Sequence, residues 1–148
     1  MSRILLAGLL TGVTDGLFSS VLNVAVYGST MTRLWQGVAS VLLGREALDG
    51  GMRTASSGLL MHFGIAFAWS ALFLLLVVNS GWLRGVLASP SGIVTVAAVY
   101  GPFVWIVMSS VVIPLVAHRP PVINSRWWTQ LIGHAVFVGL PIVASIGR

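Results

Sequence analysis

Three ionisable side chains lie inside long apolar stretches of this chain, Asp15, His62 and His134, and any chemistry in its interior must run through them. At 100° per residue Asp15 shares a stripe with Thr11, Ser19 and Asn23. His62 shares a face with Ala55, Gly58 and Ala66, and His134 one with Arg126, Gln130, Gly133 and Phe137. Both histidines therefore sit on small or polar faces, where another helix can approach. Such a set admits three chemistries. Two histidines on neighbouring helices could hold a haem iron, with small residues making room for the macrocycle. Asp15, His62 and His134 together have ligand types a metal accepts, although no close pair on one helix supports that site. A proton or ion relay asks for the least geometry, only ionisable groups within reach of water or of one another. Interhelical hydrogen bonding without chemistry is the fourth reading, and His118, beside Arg119 and Pro120, reads as a solvated loop residue.

The elements that must position these groups follow from composition. Of 148 residues 57% are hydrophobic and 7% charged, and mean hydropathy is +0.98, which excludes an ordinary soluble domain. Apolar runs over about 4–27, 54–78, 92–117 and 127–147 each suffice to cross a bilayer, which needs about 20 residues. The first run follows a single Arg3 and has no small-residue cleavage site, so it reads as a span and not a leader. Leu34 to Leu43 is too short to span. It places Leu34, Trp35, Val38, Val41 and Leu42 on one arc and Gln36, Gly37 and Ser40 opposite, the pattern of a short interfacial helix. Gly44, Gly50 and Gly51 then leave Arg45, Glu46, Asp49 and Arg53 in a polar turn. The expected fold is an all-α membrane protein: one domain of four transmembrane helices, with an interfacial helix between the first and second.

These spans bring the three groups to one level. At 1.5 Å per residue His62 lies about 13 Å in from Arg53 and His134 about 12 Å in from Arg126, on the same side. Asp15 lies about 18 Å from Arg3 on the other side, a similar depth in an apolar core about 30 Å thick. A carboxylate at that depth costs a few kcal/mol to insert, so Asp15 needs a partner or a proton. The expected polar cluster is Asp15, His62, His134 and Gln130.

The first span has two unlike halves. Gly8, Gly12, Gly16 and Ser20 recur every fourth residue beside the Asp15 stripe, while Leu6, Leu10, Val13, Leu17, Val21 and Val24 fill the other side. Small residues allow helices to approach closely, so the first half should meet protein and the second lipid. Pro102 and Pro114 should kink the third span and free carbonyls for neighbours to satisfy. Trp82, Trp127 and Trp128, near span ends, read as interface anchors. Ser19-Ser20-Val21 recurs as Ser109-Ser110-Val111, and Leu59-Leu60-Met61-His62 resembles Leu131-Ile132-Gly133-His134, as two duplicated hairpins would show.

Charge bounds location and partners. All eight basic residues are Arg, set against three acids and scattered over short segments, which argues against nucleic-acid binding. The absence of Cys excludes disulfides and thiolate sites. Arg33, Arg45, Arg53, Arg119 and Arg126 fall on the side of the first and third loops, and Arg3, Arg84 and Arg148 on the other, which favours termini outside. Arg without Lys points to a GC-rich bacterial genome and so to a cytoplasmic membrane.

The run Arg33, Gln36, Ala39-Ser40, Gly44, Gly50-Gly51, Thr54-Ala55, Gly58-Leu59, His62-Phe63 and Ile65-Ala66-Phe67 continues with Tyr100-Gly101, Val107-Met108, Pro114-Leu115, and His134 with Val138-Gly139-Leu140-Pro141-Ile142. It resembles a set of small uncharacterised bacterial four-helix membrane proteins and is distantly similar to the YagU-type inner-membrane family. The resemblance covers nearly the whole chain and implies a multi-pass protein of the inner membrane. It implies no catalytic residues and no cofactor, and Asp15 is not part of its pattern. The expected function is non-enzymatic, without metal or cofactor: a helix-packing protein embedded in the lipid bilayer that forms a homo-oligomer or serves a larger membrane complex. The alternative, from another class, is a small proton-linked permeation protein using Asp15, His62 and His134; a bis-histidine haem protein ranks third.

Overall fold

Short polar residues open most of the helices, because their side-chain oxygens accept the otherwise unpaired first-turn N–H groups. Ser2 caps α1 (Arg3–Val26), Thr30 caps α2 (Met31–Leu43), and Ser80 caps α4 (Gly81–Leu87). Ser89 caps α5 (Pro90–Ala117), which has Pro at its first position, and Asn124 caps α6 (Ser125–Ile146). No side chain caps α3 (Gly51–Asn79); it leaves a 3₁₀ turn at Arg45–Asp49 through Gly51, whose φ of +59° suits a residue without Cβ. The computed structural model describes residues 2–147, and among these every regular element is helical. Arg148, counted with the basic residues of the terminal side, lies outside the described residues.

Helices α1, α3, α5 and α6 are long and apolar enough to cross a membrane, at 24, 29, 28 and 22 residues. Their ends fall within a few residues of the expected spans. The connection between α3 and α5 contains α4. Helix α1 packs on α3 and α6, α5 packs on α6, and α2 lies along α3. The interior changes character along the bundle. At the end holding Arg3 and Ile146, whose side chain and carbonyl are joined at 3.2 Å, the core is apolar: Phe73, Ile142, Val143 and Ile146 are fully buried there. Towards the other end the buried set turns polar, with Asp15, Gln36, Ser40, Ser109 and His134.

Helix α2 turns its polar side inward. Trp35, Gln36, Ala39 and Ser40 are buried, while Leu42 and Leu43 are exposed. Gln36 Nε2 donates to the Gly51 carbonyl at 3.2 Å, and Ser40 Oγ accepts from Arg119 at 3.3 Å. Gln36 and Ser40 therefore meet protein and not water, which the amphipathic pattern alone left undecided.

Two wide π-helical turns, Met108–Val112 in α5 and Ala135–Gly139 in α6, each end two residues before a proline, Pro114 and Pro141. Proline lacks an N–H and its ring crowds the carbonyl four residues back, so a widened turn accommodates it. The carbonyl that Pro141 cannot serve belongs to Phe137, and Thr14 Oγ1 donates to it at 2.7 Å from α1. Where α5 meets α6 the backbones touch, with Gly101 against the His134 carbonyl and Gly139 against that of Ala97.

Candidate functional site

The small side of α1 is filled from within the chain. Gly8 faces the ring of Phe67, Gly12 that of Phe63, and Gly16 lies beside His62 and Trp35, while Leu10, Val13, Leu17 and Val21 are exposed. With Gly8, Gly12, Gly16 and Ser20 all buried, this face offers no room to a second copy or another subunit. The close approach it permits lets α3 deliver His62 to α1.

There His62 Nε2 lies 3.0 Å from the Gly12 carbonyl oxygen, and His62 Nδ1 lies 3.9 Å from Asp15 Oδ2. A carbonyl only accepts, so Nε2 carries a hydrogen towards Gly12. Nδ1 then faces the carboxyl group. If Nδ1 were a bare lone pair and Asp15 a carboxylate, two acceptors would oppose each other in a low-dielectric interior. One proton removes the conflict, residing on Asp15 or on Nδ1. At 3.9 Å the two groups are too far apart for a direct hydrogen bond, yet close enough for their charges to interact strongly. Trp35 from α2 covers the imidazole, with ring centroids 5.2 Å apart.

Four buried polar atoms among the described residues have no partner: Asp15 Oδ1, Thr11 Oγ1 one turn earlier on the same face, Trp105 Nε1 and Gln130 Oε1. Unsatisfied buried groups are few in native proteins, and each calls for a water, an ion or a function. Asp15 Oδ1 belongs to the pair and Thr11 Oγ1 to the same stripe of α1, whereas Trp105 and Gln130 line the crevice at the Arg126 end.

His134 is placed differently. Its Nδ1 lies 2.8 Å from the Gln130 carbonyl oxygen, so that nitrogen also carries hydrogen, and its ring lies 4.8 Å from that of Trp105. It is within Coulomb range of His62. Among the described residues no three His, Cys, Asp or Glu side chains gather as a metal-ligand set, so Asp15 and His62 meet without His134 completing a trio. Neither imidazole lines the crevice at the Arg126 end or the cavity beside Leu140. The Gln130 side chain reaches α1 at Ser19, its Nε2 lying 3.5 Å from Ser19 Oγ.

Sequence reasoning found Asp15, His62, His134 and Gln130 but not the Gly12 carbonyl, Trp35, Trp105 or Ser109. Backbone acceptors leave no mark in residue type, and the tryptophans read as anchors or core. No family model matches the chain, and neither a curated protein nor a solved structure does.

Proposed function

We propose that the chain is a multi-pass protein of a bacterial cytoplasmic membrane that acts without covalent catalysis, binding and releasing a proton at Asp15 and His62 to drive permeation through its core. The observation that carries this reading is the 3.9 Å pairing of Asp15 with a His62 whose other nitrogen is committed to Gly12. An intramembrane ionisable group is costly and is by default a functional-site candidate, and here two lie side by side. The unpartnered Thr11 hydroxyl on the Asp15 stripe adds a polar group one turn away on α1. Four apolar helices and an outer surface rich in Leu, Val and Ile support the membrane setting. Arg usage and the resemblance to small inner-membrane proteins support the compartment. The Arg count puts the termini outside, with α2 embedded at the inner boundary through exposed Leu42 and Leu43.

Purified protein in liposomes, given a potassium diffusion potential and an internal pH dye, tests the reading. Wild-type protein should conduct protons and Asp15→Asn should abolish the flux without changing assembly in native mass spectra. Equal flux in both would reject it. A second reading, assembly with another copy or a membrane partner, is favoured by Gly64 and Ala68: both face outward on α3, one turn apart, and Gly64 meets nothing within its own chain. Loss of assembly in Gly64→Leu would support that reading.

A further inference from the structure

An open crevice of about 380 Å³ lies between α2, the second half of α5 and the start of α6. That volume is within the range of small-molecule sites. Its charged side chains, Arg119 and Arg126, are both cationic, and no acid lines it. Neither has a carboxylate partner: Arg119 donates to Ser40 Oγ at 3.3 Å and Arg126 stacks over the Tyr27 ring at 4.1 Å. The one acid–base side-chain contact within 4.0 Å among the described residues is that of Asp15 with His62. Other groups in the crevice are donors as well. Ser109 Oγ accepts from Trp127 Nε1 at 2.9 Å, which leaves its hydroxyl hydrogen free. The α6 N-terminus opens here at Asn124, adding the positive end of a helix dipole. Gln130 can turn either end of its amide inward, and Val41, Ile113 and Pro114 give the remaining wall an apolar surface.

We propose that this crevice binds a carboxylate or phosphate group carried on an apolar body. Two guanidinium groups without counter-ions supply charge and forked donors, the free Ser109 hydroxyl supplies a further donor, and the aliphatic wall takes the body. Such a group could come from the headgroup of an anionic lipid or from a soluble organic anion. The site does not require that Asp15 or His62 move protons.

The test places protein labelled with ¹⁵N at tryptophan and arginine in phosphatidylcholine nanodiscs and titrates sodium benzoate. A second arm introduces phosphatidylglycerol in place of benzoate. The Trp127 indole and the Arg119 and Arg126 guanidinium signals should move saturably in at least one arm. A response to benzoate identifies a soluble anion as sufficient, and a response to phosphatidylglycerol alone identifies the headgroup. The R119Q/R126Q double variant should bind about tenfold more weakly or worse, as loss of charge-assisted bonds implies. R126K, which keeps the charge, should retain saturable binding, and it separates loss of the site from loss of fold. Wild-type signals unmoved in both arms, an undiminished response in the double variant, or an equal response to uncharged benzamide would overturn the proposal.

Discussion

Replacing Gly58 by Ala should loosen the bundle, whereas the same replacement at Gly64, on the same helix, should not. A Cβ at Gly58 would overlap the Trp35 carbonyl and crowd the Ala39 nitrogen, both backbone atoms of α2, while a Cβ at Gly64 meets open space. Gly to Ala in a helix interior gains about 0.5–1 kcal/mol, and this applies equally to both sites. At Gly64 that gain stands alone. At Gly58 it is offset by overpacking, about 1–3 kcal/mol in well-packed interiors, and the upper part of that range applies because backbone has no rotamer to escape into. The net effects are then about 2 kcal/mol of destabilisation at Gly58 and up to about 1 kcal/mol of stabilisation at Gly64. Reversible unfolding in mixed detergent micelles, followed by tryptophan fluorescence, measures both. Because Trp35 covers His62, Gly58→Ala should also shift the His62 resonances and Gly64→Ala should leave them in place. Equal changes in stability for the two variants would refute the close approach of α2 to α3.

Three further outcomes follow from the packing. Gly12→Leu should disrupt the fold far more than Leu10→Ala, since Gly12 faces Phe63 and Leu10 is exposed; comparable unfolding midpoints would contradict the assignment of faces. Thr14→Val should cost about 1 kcal/mol by leaving the Phe137 carbonyl unpaired, and adding Pro141→Ala, which restores an N–H, should recover part of it in a double-mutant cycle. Purified protein should show no Soret band, because neither His62 nor His134 lines the crevice or the cavity that could receive a macrocycle; a stoichiometric band lost in His62→Ala would contradict this.

Much of the architecture was legible because the four long helices are continuous apolar runs of the length that could cross a bilayer, bounded by Arg, Asn, Pro and Gly. The level shared by Asp15 and His62 followed from helical rise, and their side chains do meet. What hydropathy could not give is helix rotation and choice of neighbour. Lipid and protein interior are both apolar, so the small face of α1 fitted a partner protein as well as the rings of Phe63 and Phe67 that fill it. The same ambiguity hid the inward turn of Gln36 and Ser40. Contacts that end on backbone, Thr14 to the Phe137 carbonyl and His62 to that of Gly12, are invisible in residue types. The Arg119 and Arg126 crevice needed α2 to be folded back against the end of α5, which no local pattern specifies.

The central claim is that Asp15 and His62 hold one proton between them. Protein labelled with ¹³C at the aspartate carboxyl and ¹⁵N at histidine, in nanodiscs, tests it directly. The Asp15 carboxyl and His62 Nδ1 signals should change together, with shared midpoints as pH is varied, and the His62 transition should move in Asp15→Asn. Independent midpoints for Asp15 and His62, with a His62 titration indifferent to Asp15→Asn, would contradict the account.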